Sequence, residues 1–352
     1  MKGMLGAAPA AMALLLGSGQ CSNDRTGARA APAVAPGESS TPRYKGINIA
    51  GGEFRPNRRP GTYGKDYIYP SPAELAAFAQ MGFNAIRLPV RWERVQPELG
   101  AGLAEEDMRR IDGIAAAAAR NRQLLILDIH NYARFAGRPV TEPEVADGLV
   151  DLWRRLALRY RGQDVAFGLM NEPNNLPAST WSALAKRVVH AIRATGASNL
   201  ILVPGSQWTG AHSWIRGNGR ETNGAAFAGF RDPGGNMAYE MHQYLDADSS
   251  GTGTSCVTRE RAAQRLAGAT AWLRAERARG FLAEFGGPGD LACLEALRGL
   301  LSALERNGDV WLGWTYWAAG SWWAPSYAMA INPAKGGLER PQLTVLRDYA
   351  AH

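Results

Sequence analysis

No stretch of the mature chain is long and apolar enough to cross a bilayer, which excludes a membrane-spanning body. There is no G-x-G-x-x-G and no phosphate-binding loop, so no nucleotide cofactor is expected. The five histidines include no close pair of the H-x-H kind, so no metal is expected. No Lys/Arg run interleaved with aromatics occurs. The formal charge of +7 comes mostly from Arg scattered along helical stretches, such as Arg154, Arg155 and Arg159, and reads as solvated helix faces rather than a nucleic-acid surface. Cysteine is scarce, at three. Cys21 belongs to the N-terminal leader. The remaining even pair, Cys256 and Cys293, suggests one disulfide in an exported chain.

What is present begins with MKGMLGAAPAAMALLLGSGQ, one Lys and a short apolar run that read as a secretory signal over residues 1–20. The run ends just before Cys21, where a lipid anchor is the alternative, although Ser18 and Gln20 suit it poorly. Residues 21–42 are rich in Ala, Pro, Gly and Ser and read as a flexible linker. The chain is expected to be secreted, extracellular or periplasmic, and off the membrane unless lipidated. It is expected to act as a monomer.

From residue 43 to 352 the composition is that of one globular domain, 46% hydrophobic and 20% charged over the whole chain. Apolar strands are expected at 44–49, 83–88, 124–129, 166–170, 199–203, 237–242, 281–285 and 311–317. Helical patterns lie between them. Val145, Leu149, Leu152, Leu156 and Tyr160 recur at helical spacing, as do Trp181, Leu184, Val188 and Ile192. Ser71-Pro72 is expected to open a helix, and Gly82 and Gly280 to close others. Eight alternating units point to an α/β fold, a closed (β/α)8 TIM barrel forming a single catalytic domain.

In such barrels the chemistry sits at the C-terminal strand ends. Arg87, His130, Asn171 with Glu172, Trp208, His242 with Tyr244, Glu284 and Trp317 all fall there, with Trp322 and Trp323 close behind. Pleat alternation puts Leu282 and Glu284 on one face, and likewise Glu240, His242 and Tyr244. An unpaired carboxylate inside a barrel is costly, so Glu172 and Glu284 on different strands read as a working pair. Such a pair is what glycosidic cleavage requires: one carboxyl protonated to release the leaving oxygen, one ionised to attack. Arg87 is placed to keep one of them charged.

Asn171-Glu172-Pro173 in LMNEP, with Glu284 in LAEFGG, resembles glycoside hydrolase family 5. The segments FNAIRLPVRWERVQP, DIHNYAR, MHQYLDADSSGTGTSC and LGWTYWAAGSWW extend the likeness from about Tyr44 to Asn332 and are similar to its endoglucanase branch. The resemblance implies a retaining hydrolase of β-1,4-glucan that needs no cofactor. It implies Glu172 as acid and then base, Glu284 as nucleophile and Asn171 on the sugar 2-hydroxyl. It places Arg87 and Tyr244 beside Glu284, His242 near Glu172, and His130 and Trp317 along the subsite before the scissile bond. It also fits a bridge between Cys256 and Cys293.

Each residue has a blander reading. The two glutamates could be structural ion pairs with Arg, Arg87 an interior charge, and the histidines core residues; their shared strand-end position favours the site. Asp128 reads as support one layer below His130. Among the tryptophans, Trp153, Trp181 and Trp272 lie in helical patterns and read as packing. Trp208, Trp317 and one of Trp322 or Trp323 read as platforms for sugar faces; of these last two, Trp322 is taken. Mannan, xyloglucan and mixed-linkage glucan remain alternative substrates. A non-catalytic carbohydrate-binding barrel and a metal-dependent barrel remain alternative classes.

Overall fold

The computed structural model describes residues 41–217, 221–332 and 339–351. The expected leader, Cys21 and all of the expected linker before residue 41 lie outside the described residues. Eight parallel strands close into a barrel in chain order: β1 (Tyr44–Ile49), β2 (Ala85–Val90), β3 (Leu124–Ile129), β4 (Val165–Gly168), β5 (Ile201–Pro204), β6 (Met237–His242), β7 (Gly280–Glu284) and β8 (Trp311–Ala319). Helices link the strands and wrap the outside.

Several limits differ from the periodicity, for local reasons. β2 starts two residues late because Phe83 N–H still bonds Phe78 O at the preceding helix end, while the Asn84 side chain receives Lys45 N–H. β5 starts at Ile201 because the Asn199 amide donates to the carbonyls of Tyr160, Gln163 and Val165. β4 ends at Gly168, short of the expected Met170, and the chain then turns so that Asn171 N–H bonds Ile129 O at 2.7 Å. β8 runs on to Ala319, whose carbonyl accepts from Ala50 N–H. Gly280 does not close a helix. The helix before it ends at Ala275, and Gly280 opens β7, where a Cβ would meet Leu273 at 2.6 Å. Gly82 does follow a helix end, at φ +95°.

The apolar residues divide into two layers. Inside the lower barrel sit Ile126, Ala166, Leu202, Ala238, Phe281, Ala283 and Leu312. Between strands and helices lies the larger layer, where Leu88, Leu127, Phe167, Val203, Met241 and Leu282 meet helical residues such as Leu149, Leu152, Val188 and Leu300. The helices Pro143–Tyr160 and Ala178–Ala194 each anchor a strand end through tryptophan: Trp153 Nε1–H donates to Leu169 O and Trp181 Nε1–H to Pro204 O. Helix Pro72–Gln80 opens with a capping box between Ser71 and Glu74.

The face assignment for Leu282 and Glu284 needs correction. Leu282 packs outward, whereas Phe281 and Ala283 fill the lower barrel. A one-residue register slip between Met241 and His242 pairs His242 with Glu284 instead of Ala283. Strict alternation would send Glu284 outward with Leu282; the slip resets the phase and brings its carboxylate into the mouth.

Cys256 in the loop after β6 and Cys293 in the helix Leu291–Glu305 form a disulfide across 37 residues. Loop closure of this length corresponds to about 4 kcal/mol on the chain-entropy account. Cys256→Ser with Cys293→Ser is therefore expected to cost roughly 2–4 kcal/mol in denaturant unfolding, with the barrel's circular dichroism retained.

Candidate active site

Above the inner apolar layer the barrel turns polar, and Arg87 on β2 is its hub. The side chain is fully buried. One terminal nitrogen donates to Asn48 Oδ1 (2.9 Å) and Glu284 Oε1 (2.7 Å), the other to Asn171 Oδ1 (2.9 Å) and Glu240 Oε1 (2.8 Å). Asp128 Oδ1 lies 3.1 Å away. The hub therefore reaches side chains from β1, β3, β6 and β7 and the turn after β4. A guanidinium suits this place because it stays charged and spreads its donors in a fixed fork.

Glu284 receives a second bond, from the Tyr244 hydroxyl at 2.8 Å. Glu172 follows β4 on a backbone at φ 41°, in the left-handed region. That conformation is disfavoured for a non-glycine residue and is held by the turn around it. His242 links the acids: Nδ1 lies 2.9 Å from Glu172 Oε1 and 3.5 Å from Glu284 Oε2, and Nε2 lies 3.3 Å from Glu240 Oε1. One oxygen of each of Glu172 and Glu284 and a His242 nitrogen all fall within 4.8 Å of one another.

Burial and charge separate the titrations. Burial alone would lower His242, but the Glu284 charge and hydrogen bonds to Glu172 and Glu240 raise it to about 10. Burial raises Glu172 above the ordinary carboxylate value, and His242 offsets only part of this. Burial pushes Glu284 the same way, yet the His242 and Arg87 charges and the Tyr244 hydroxyl outweigh it and hold Glu284 low. Glu240 is likewise held low against burial, by Arg87 and His242. Asp128 is pushed well up by burial, with Arg87 opposing. Arg87 and His242 thus hold Glu284 and Glu240 low, while burial raises Glu172 and Asp128.

The trio Glu172, His242 and Glu284 has a spacing that could surround a metal ion. Here both His242 ring nitrogens face carboxylates, Nδ1 toward Glu172 and Nε2 toward Glu240.

Around the pair stand the walls. His130 bonds Asp128 (2.7 Å) and Tyr132 OH (3.1 Å), and burial lowers its pKa to about 3, so it is neutral. It stacks on Trp317 at 5.6 Å, and Trp317 Nε1–H donates to Tyr327 OH. On the opposite side, Gln207, Trp208 and Thr209 all take left-handed φ, near 50°. The Thr209 hydroxyl pins this turn to Gly205 N–H and Glu240 O. The turn leaves Trp208 55% exposed above a cavity of about 890 Å³ that also touches Glu172, His242 and Tyr244.

A family model described as cellulase (glycosyl hydrolase family 5) matches residues 41–320. The chain belongs to glycosyl hydrolase family 5. The endoglucanase gh5-1 of Neurospora crassa is 37% identical over 297 residues, 84% of this chain and 74% of that protein. XacCel5A, solved in complex with cellopentaose, is 47% identical with a TM-score of 0.85, covering 87% of this chain and 98% of the other. An endo-β-1,4-glucanase from Xanthomonas axonopodis pv. citri is 43% identical, with a TM-score of 0.85 and the same coverage.

Within this family 5 barrel, Glu172, Glu284, Arg87, Asn171, His242 and Tyr244 meet in one hydrogen-bonded set, with His130 and Trp317 on one flank and Trp208 on the other. Trp322 stands apart, facing a surface hollow beside Phe54 and Lys65. Trp323 lines the same hollow and also packs on Tyr327 at 4.1 Å and edges onto Trp317. Trp214 is fully buried against Phe227, Tyr239 and Trp272 and is packing. The sequence reading missed Asn48, Tyr327 and the full role of Glu240. For Asn48 there was a signal, a polar residue flanked by Ile47 and Ile49 on a strand.

His242→Gln is expected to raise the pKa of both Glu172 and Glu284, because the His242 charge lowers each of them. Carboxyl-resolved NMR titration checks this; an unchanged or lowered Glu172 would contradict the assignment of His242 as a cation.

Proposed function

We propose that this family 5 chain is a retaining endo-β-1,4-glucanase in which Glu284 is the nucleophile and Glu172 the general acid and then base. The carrying observation is the carboxylate pair: oxygens within 4.8 Å, one carboxyl raised and one held low. A retaining pair stands about 5–5.5 Å apart and an inverting pair about 6.5–9.5 Å, to admit a water. The separation here supports retention.

In the first step, Glu284 Oε attacks the anomeric carbon while the Glu172 proton passes to the departing glycosidic oxygen, leaving a glycosyl ester on Glu284. In the second, ionised Glu172 takes a proton from water, the water attacks the anomeric carbon and Glu284 departs as carboxylate. Tyr244 and Arg87 hold the two Glu284 oxygens. Asn171 Oδ1 accepts from Arg87, and its buried Nδ2 has no partner among the described residues. An unmet buried donor is costly, and the sugar 2-hydroxyl is the acceptor this reading assigns to it.

His130 and Trp317 line the subsite before the scissile bond, and Trp208 offers a face to the sugars after it. A β-1,4-linked glucan is the substrate supported by the cellopentaose bound to the similar XacCel5A. Export is part of the proposal and is supported by the disulfide. Among the described residues no helix is long and apolar enough to cross a membrane.

On hydroxyethylcellulose, Glu172→Gln and Glu284→Gln are each expected to lower kcat by about 10³-fold or more. With an aryl cellobioside whose leaving group needs no acid, Glu172→Ala should still form the glycosyl ester, and azide should restore its turnover as a retained glycosyl azide. Rescue of that kind in Glu284→Ala instead would reverse the two roles. Full activity of Glu284→Gln would remove it as the nucleophile.

A further inference from the structure

The cavity beside Glu172 runs away from the nucleophile, between the loops after β5 and β6, for about 890 Å³. A general acid protonates the oxygen of the sugar that leaves. The sugars beyond the scissile bond therefore extend from Glu172 past Trp208 into this cavity, an inference that rests on the proposed roles.

Its far wall is cationic. Several arginines elsewhere in the protein are matched with acids: Arg159 with Asp112, Arg193 with Asp232, Arg274 with Asp309 and Arg155 with Asp151. Three guanidinium groups line the cavity, Arg216, Arg261 and Arg265. Among the described residues none of them is paired to a carboxylate. Arg261 donates to Gln264, and Arg265 donates to the carbonyls of Tyr244 and Ala247. Arg216 and Arg261 are exposed to the cavity and to solvent. One acid, Asp248, shares the wall, and it receives Ser250 N–H. Unmatched like charges in a cleft are self-repelling. They raise the local concentration of an anionic ligand and bind carboxylates through paired N–H donors.

We propose that this cleft recognises anionic substituents, carboxylates above all, on the leaving-group side of the glucan chain. The natural substrate class is then an acidic β-glucan, bearing uronate or similar groups, in preference to an undecorated one. A plain glucan still fits, because Trp208 and the catalytic centre make no use of these charges.

The experiment compares kcat/KM on carboxymethylcellulose and hydroxyethylcellulose, from low to high sodium chloride, for the parent and for Arg216→Gln with Arg261→Gln. The parent is expected to favour the anionic polymer at low salt and to lose that preference as salt rises. The double variant should lose about tenfold on carboxymethylcellulose while hydroxyethylcellulose changes less than about twofold. Equal losses on both polymers, or no loss on carboxymethylcellulose, would overturn the proposal. A second readout is independent of turnover: in the Glu284→Gln background, calorimetric titration with carboxymethylated cellotetraose should weaken about tenfold on removing the two arginines, and titration with cellotetraose should not. Equal binding of the two oligosaccharides by the parent background would also overturn it. Absence of parent activity on both polymers would count against the catalytic assignment, not against the cleft.

Discussion

The site depends on one buried cation. Arg87 lies where no water reaches it and spends its two terminal nitrogens on Asn48, Asn171, Glu240 and Glu284. Burial disfavours its charge, but the carboxylates of Asp128, Glu240 and Glu284 outweigh that and hold it protonated. The dependence runs both ways. His242 and Arg87 together hold Glu284 low, and Arg87 is tolerable because Glu284 and Glu240 are there. Removing one member of such a cluster exposes the rest to a penalty of about 3–5 kcal/mol. The barrel can carry this cluster because its strands hold the partners rigidly at the correct heights. The lower interior, filled by Ile126, Leu202 and Phe281, keeps water from entering beneath.

His242 extends the same logic by one residue. It spans Glu172, Glu240 and Glu284 and carries a second positive charge. His242 and Arg87 hold Glu240 and Glu284 low, whereas burial raises Glu172. The difference between two glutamates in one pocket therefore comes from their surroundings. Glu284 touches Arg87 and Tyr244, whereas Glu172 sits on a left-handed turn at the cavity edge, with His242 as its close charged neighbour.

Much of this arrangement was legible in the residues. The alternation of apolar strands with helical patterns gave eight strands in the right order, and the polar residues after each gave the mouth of the barrel. Val145, Leu149, Leu152, Leu156 and Tyr160 are all fully buried on their helix, as the spacing required. Less legible were features set by the closure of the sheet. The register slip opposite Met241 and His242 has no local sequence mark, yet it decides which way Glu284 points. Gly280 reads as a helix stop by composition, but it is needed because Leu273 and Trp311 crowd β7. Tyr327 reaches Trp317 from a loop ten residues away, a distance at which pattern carries no information. The three left-handed residues at Gln207, Trp208 and Thr209 include no glycine or asparagine to betray the turn. The hydrogen bonds made by Thr209, together with Trp208 N–H on Pro173 O, hold it.

The central claim is that Glu284, held low by His242 and Arg87, forms the covalent bond to the sugar. The most direct measurement is peptide mapping after inactivation with a 2-deoxy-2-fluoro-cellobioside bearing a good leaving group, whose glycosyl ester turns over slowly. The account predicts one added glycosyl mass, on the peptide carrying Glu284. A label on Glu172 or Glu240, or hydrolysis with inversion and no label, would contradict it.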